Sequence, residues 1–445
     1  MKPPHATWAV QPDRRQWMNG AAAMLMIGAV KPGAVSAATR DAALTFEHCQ
    51  AVVDGYVTAR RLPGATVGLR HGTSGPAYVR AGALAFDDPT PVDDRTIFRI
   101  YSLTKLITGA ACALLIEDGR LHLDQPVVEI IPEFRALKVA VNPGEGLEGT
   151  ALERPMTIRH LLTHTSGLTY HFSGAGPVHM AYRRAGIFPS TGATIDPRPA
   201  IDGPKAADLE QMVARLADIP RLFQPGTAYE YGVSLDVLGL VIQRVSGMSF
   251  EAFVRTRLLD PIGMPDTDWR LPADKADRFA SFYAFTASGP IRIDSPATTA
   301  YAQPVTLFAG GAGLLSSTRD YLRFLTMLLD EGRVGDRRVM RPETARLIHT
   351  NILPEAVTGF DGQGHGFGGY VRLRDDPAPG GLRAGSYGHY GAAGTTAWID
   401  PESGLAAVVM VQQFPTDHTP IVNDVRRAIA EDLGSTSPAR ASVGG

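Results

Sequence analysis

Apolar residues recur at helical spacing directly after Lys105, where the chain reads LITGAACALLIEDGR. Leu103, Leu106, Ile107, Ala110, Ala111 and Leu114 keep that spacing, and Gly119 supplies the stop. The spacing predicts a long apolar helix, entered from an extended segment at Phe98–Ile100. Residues 39–60 carry Ala43, Phe46, Val52, Val53 and Tyr56 on one amphipathic face. Ala65–Arg70 and Ala77–Ala81 read as two strands around a turn at His71–Pro76, expected as a hairpin at a sheet edge. Further helices are expected at 156–163 with Thr157 as N-cap, at Asp208–Ile219, over VSLDVLGLVIQRVSG with Gly247 as the stop, and at Phe250–Arg257. Thr318 is expected to cap a helix over Arg319–Leu329, and Pro420–Leu433 to form the closing helix. Strands are expected at Phe367–Leu373, Thr395–Ile399 and Ala406–Gln412. Residues 136–154, 171–206 and 270–305 read as irregular, and the small residues of Phe308–Leu314 as a place where backbones approach closely.

Strands thus gather at both ends of the chain and helices between them. Tight turns join consecutive strands, which argues for antiparallel pairing. The expected fold class is α+β. An antiparallel sheet from residues 38–135 and 300–434 is flanked by helices, and residues 136–299 form a mostly helical second lobe. A cleft between the lobes is the expected place for a site. Residues 435–445 read as a loose tail.

Bulk composition narrows the function classes. The chain has 445 residues, 44% hydrophobic and 20% charged, with a formal charge of −2. That balance suits a globular protein and indicates neither a nucleic-acid nor an anionic-membrane surface. Of the two cysteines, Cys49 and Cys112, the second lies inside the apolar helix and is expected as a buried free thiol. Arg14-Arg15 precedes the apolar run AAAMLMIGAV, and Val35-Ser36-Ala37 offers small residues at a cleavage position. Residues 1–37 are therefore expected to be an export signal of twin-arginine type, with a periplasmic mature protein and no stable membrane insertion. The apolar run is too short for a membrane span.

Ser102 and Lys105 lie three residues apart, one turn apart on one helix face. Burial in an apolar helix lowers a lysine's pKa and makes its amine a usable base near neutral pH. A serine beside such an amine is the raw material of an activated nucleophile.

Three separated stretches, Ser102-Leu103-Thr104-Lys105, Tyr231-Gly232-Val233 and His389-Tyr390-Gly391, match one family in order and spacing. They resemble S-x-x-K, Y-x-N and K-T-G of the serine β-lactamases and penicillin-binding proteins. The stretches HTSGL, PGTAYEY, FAGGAGLLSS and GTTAWIDP also fit. The likeness extends over about residues 40–430. It is closest to class C β-lactamases and to the carboxylesterases sharing their fold, the family VIII esterases. The resemblance implies Ser102 as the acylated nucleophile, with Lys105 and Tyr231 as general base and acid in an order the sequence leaves open. It implies backbone N–H groups of Ser102 and Ala392 as an oxyanion hole. It places Val233, His389, Tyr390 and Gly391 along the substrate. Val233 stands where lactamases carry asparagine, and His389 where they carry the lysine that meets a substrate carboxylate. Both departures resemble the esterase branch and suggest a less polar acyl pocket with a weak anion anchor.

The expected activity is hydrolysis of carboxylic esters, small molecules, through an acyl-enzyme. The alternatives are a β-lactamase or D-Ala-D-Ala-type peptidase, and a non-catalytic sensor of lactams or peptidoglycan fragments. No G-x-S-x-G elbow and no H-E-x-x-H pair occurs, and no metal or cofactor is expected. His164, His171 and His179 are loosely spaced, and His164 reads as a structural histidine bonded to backbone. Asp87–Asp94 reads as a solvated acidic loop.

Overall fold

The computed structural model describes residues 45–189 and 201–435. The proposed export segment and the tail beyond residue 435 lie outside them. Among the described residues the main sheet has eight strands: β1 (Gly64–His71), β2 (Ala77–Ala85), β3 (Asp88–Pro91), β4 (Gly364–His365), β5 (Tyr370–Val371), β6 (Tyr387–Tyr390), β7 (Thr396–Asp400) and β8 (Leu405–Met410). Their spatial order is β4-β5-β6-β7-β8-β1-β2-β3, antiparallel throughout. Segments from both ends of the chain meet where β1 pairs with β8, Val67 opposite Val409. β1 is therefore an interior strand. The β1–β2 hairpin is one step from the edge, because β3 continues the sheet past β2.

Side chains alternate across the sheet, as strand geometry requires. Val67, Leu69, Ala407 and Val409 face one way, toward Cys49, Val53 and Tyr56 of helix α1 (Glu47–Thr58) and Ile421, Val425 and Ile429 of the closing helix. Val408 and Met410 face the other way, into the larger core. That core holds the apolar helix α2 (Thr104–Glu117), with every residue from Thr104 to Leu115 buried. It also holds helix α3 (Ser234–Ser246), which Gly247 ends in the left-handed conformation at φ 73°. Both cysteines are buried free thiols.

The structure corrects several readings. The helix α4 (Thr318–Leu329) is capped by Ser317, whose side chain accepts from Asp320 N, and not by Thr318. The loop at 136–154 contains a short hairpin, Lys138–Ala140 with Gly149–Ala151. A helix, Pro177–Arg184, lies within the expected 171–206 loop. The 270–305 stretch contains the hairpin Phe282–Thr286 and Gly289–Asp294. The strand expected over Phe367–Leu373 shrinks to Tyr370–Val371. Asp94 is buried and bonds Arg319 at 2.6 Å, so only part of the acidic run is solvated. Alternation and propensity are weak over two- and three-residue strands, which explains the differences at 138–151 and 367–373. The second hairpin ends on Asp294, which bonds Arg99 at 2.7 Å with neither side chain exposed. It thereby braces the strand Ile97–Arg99 that leads to Ser102. The closing helix, α5 (Ile421–Ser435), completes the layer against α1.

Candidate active site

Ser102 sits in a single 3₁₀ turn, Tyr101–Leu103, between the strand Ile97–Arg99 and α2. Tyr101 takes φ 41°, an unfavourable value for a bulky side chain, so the chain turns sharply just before the serine. Lys105 lies one turn on and is wholly buried. Its Nζ donates to Ser102 Oγ at 3.2 Å and to the Gly311 carbonyl at 2.6 Å. Tyr231 arrives from a distant part of the chain, three residues before α3, and its hydroxyl donates to the same Ser102 Oγ at 2.8 Å. The Tyr231 ring also lies 4.6 Å from Nζ. A hydroxyl, an amine and a phenol thus share one hydrogen-bonded cluster.

Small residues let a third segment close on these two. A Cβ on Gly310 would stand 2.3 Å from the Leu235 carbonyl, and one on Gly311 2.7 Å from Asp236 Oδ2. The polar side chains of α2 lace this segment down. Thr108 donates to the Gly310 carbonyl at 2.7 Å, and Leu314 N donates to Thr104 at 3.1 Å.

Asp236, which motif reading missed, stands on the other side of Gly311. Gly311 N donates to its Oδ1 at 2.8 Å, so one peptide residue bridges carboxylate and amine. Asp236 is wholly buried, and Oδ2 has no hydrogen-bond partner. Burial pushes the Lys105 ammonium down to about 7, against the opposing pull of Asp236. Burial pushes the Asp236 carboxyl up to about 7, opposed by Lys105 and by backbone N–H groups. Burial raises the Tyr231 phenol well above its ordinary value. Asp236 lies five positions after Tyr231, and an aspartate inside a helix as apolar as VSLDVLGLVIQ was the available signal.

Neutral histidines surround the amine. His164, at φ 55°, accepts from Gly232 N at 3.2 Å, and its ring is 4.7 Å from that of Tyr231. It is a structural residue, as expected, and it positions the peptide after Tyr231. His365 is held at about 4, and His164 and His389 well below 6.5, by burial first and by the nearby Lys105 charge. Among the described residues no cluster of His, Cys, Asp and Glu is placed to hold a metal ion.

The remaining predicted residues separate. His389 is buried on β6, with Nδ1 2.8 Å from Tyr390 N. Tyr390 is 42% exposed and stacks on Tyr370 at 5.7 Å. Gly391 lies against the backbone before Ser102, where a Cβ would stand 2.4 Å from the Ile100 carbonyl. Ala392 follows in the β6–β7 turn, its carbonyl accepting from Thr416 at 2.8 Å. Val233 corrects the expectation of an apolar pocket wall. It is 0% exposed and packs in the core at the start of α3, so it presents no surface to a cleft.

Comparison with known proteins agrees with this architecture. The sequence profile of the Beta-lactamase family matches residues 49–431. Protein Rv1367c of Mycobacterium tuberculosis is 34% identical over 343 residues, covering 74% of this chain and 80% of that one. Esterase EstB of Burkholderia gladioli is 33% identical over 390 residues, covering 83% and 91%. The structure of EstCE1, described as a hydrolase with promiscuous acyltransferase activity, superposes with a TM-score of 0.70 at 24% identity, covering 86% and 97%. With the serine-bearing fold and these relatives in view, the chain belongs to the beta-lactamase family and is a serine hydrolase of the esterase-like kind.

Proposed function

We propose that the protein hydrolyses carboxylic esters through an acyl-enzyme on Ser102. The observation that carries this reading is the convergence of Lys105 Nζ and Tyr231 OH on Ser102 Oγ, at 3.2 and 2.8 Å. Ser102 Oγ attacks the acyl carbon while its proton passes to the Lys105 amine, directly or through the Tyr231 hydroxyl. The tetrahedral intermediate collapses as the leaving alkoxide takes a proton back from the same pair. Water then repeats the sequence on the acyl-enzyme and frees the acid. Burial lowers the Lys105 ammonium toward neutral pH and so favours the amine, whereas burial raises the phenol and keeps its proton on. That difference favours Lys105 as acceptor and Tyr231 as a neutral relay. The N–H groups of Ser102 and Ala392 are the proposed oxyanion donors, and the contact of Gly391 with the Ile100 backbone supports their nearness.

Ester rather than lactam is favoured by position 389. A buried, neutral imidazole is a poor anchor for a substrate carboxylate. The EstB relationship points the same way. The test is turnover of p-nitrophenyl butyrate beside nitrocefin, with Ser102→Ala as control. Ester turnover that disappears in the variant supports the assignment, and turnover that persists removes it. Faster hydrolysis of nitrocefin than of the ester would favour the β-lactamase alternative.

A further inference from the structure

A cavity of about 470 Å³ lies between strands β5, β6 and β7 and the first turns of α5. Its size is that of a small-molecule site. It is lined by Tyr370, Arg372, Ser386, Tyr390, Trp398 and Arg426, among others. Three buried polar atoms on this wall have no hydrogen-bond partner: Arg372 Nε, Arg426 Nε and Ser386 Oγ. Ser386 is 1% exposed, so the protein has withdrawn its hydroxyl from solvent without satisfying it. Groups in that condition cost free energy unless something meets them.

Two guanidiniums stand on the inner wall. Burial lowers the Arg426 guanidinium to about 10, against the pull of Asp376 and helped by the charge of Arg372. Asp376 reaches Arg372 at 3.5 Å and offsets one of the two cations. Over the whole lining three carboxylates face two guanidiniums, and the excess negative charge stands at the exposed edge. The other acids, Asp361 and Asp417, are exposed at its edge, where they disfavour a dianion. An apolar surface completes the wall. Arg426 lies 5.0 Å over the Trp398 ring, and Tyr370 stacks on Tyr390.

We propose that this cavity is a binding site for an organic monoanion, a carboxylate attached to a flat apolar body, held by Arg372, Arg426 and Ser386 with its apolar body beside the exposed Tyr390 ring. A guanidinium fork matches a carboxylate in both charge and geometry. The site does not depend on the assignment of Ser102: it shares His389 and Tyr390 of strand β6 with that site, but not Ser102, Lys105 or Tyr231.

The probe is sodium benzoate, titrated into the full-length protein by ligand-observed NMR, with inorganic phosphate as competitor. The expected result is saturable binding, weakened about tenfold or more in Arg426→Gln and in Arg372→Gln. The rate of p-nitrophenyl butyrate hydrolysis should stay unchanged in both variants, and phosphate should fail to displace benzoate. Absence of saturation, unchanged affinity in both variants, or displacement by phosphate as strong as by a second carboxylate each overturns the proposal. A wild-type measurement covers the case in which a variant does not fold. Benzoate ring protons should show cross-relaxation with the Tyr390 ring, lost in Tyr390→Leu, and its absence also overturns the proposal.

Discussion

Replacing Asp236 by asparagine isolates what its charge does. The amide is nearly isosteric, and its oxygen can still accept from Gly311 N, the bond now 2.8 Å long. What disappears is a buried negative charge one residue's breadth from the Lys105 amine. That charge opposes the burial that pulls the ammonium down to about 7, so removing it lowers the lysine pKa further. An opposite charge nearby typically shifts a pKa by about 1–3 units, and the intervening Gly311 places this pair at the low end, about one unit. The working form of the base is the amine, so the acid limb of kcat/KM should move about one pH unit toward acid. Asp236 is itself raised to about 7, so the shift is read at the midpoint of the limb, near pH 7, where the carboxylate still carries part of its charge. The assay is the pH profile of p-nitrophenyl butyrate hydrolysis from pH 5 to 9, with folding checked by circular dichroism. A plateau that falls while the acid limb stays in place would show that Asp236 only holds Gly311, and the electrostatic argument would fail.

Lys105→Ala and Tyr231→Phe should each lower kcat by about two to four orders of magnitude while the protein stays folded, read from single-turnover acylation with the same ester. A rate like that of the unmodified protein in either variant would mean its group does not move the serine proton. Gly391→Ala adds a methyl 2.4 Å from the Ile100 carbonyl and 2.3 Å from Thr395 Oγ1, so the β6–β7 turn must withdraw from Ser102. The expected outcome is a fall in kcat of about tenfold or more with KM little changed, as for a weakened oxyanion donor. An unchanged kcat would separate that turn from catalysis.

The sequence by itself determined the long helices and the residues of the short motifs. The apolar helix α2 with Lys105 in its first turn and Ser102 just before it, the cap at Thr157 and the position of Tyr231 were legible because each is written in local spacing or in a short motif, and the tight turns between strands pointed to antiparallel pairing. Hydrophobic periodicity reports burial, and burial of an element decides its type when the element is long enough to show a period. Short strands such as Lys138–Ala140, and the hairpin at 282–294 that presents Asp294 to Arg99, show no period and were read as loop.

Only the tertiary structure decided which residues share an environment. It set Asp236 beside Lys105 through Gly311, a meeting of residues 131 positions apart that no local pattern encodes. It turned Val233 into the core although its motif position suggested a pocket wall. It also removed His164, His365 and His389 from water together, so that three potential cations are neutral around one amine. The reason is physical. A pKa, an ion pair and a pocket wall depend on distance and dielectric, and both are fixed by packing between segments that the chain itself keeps far apart.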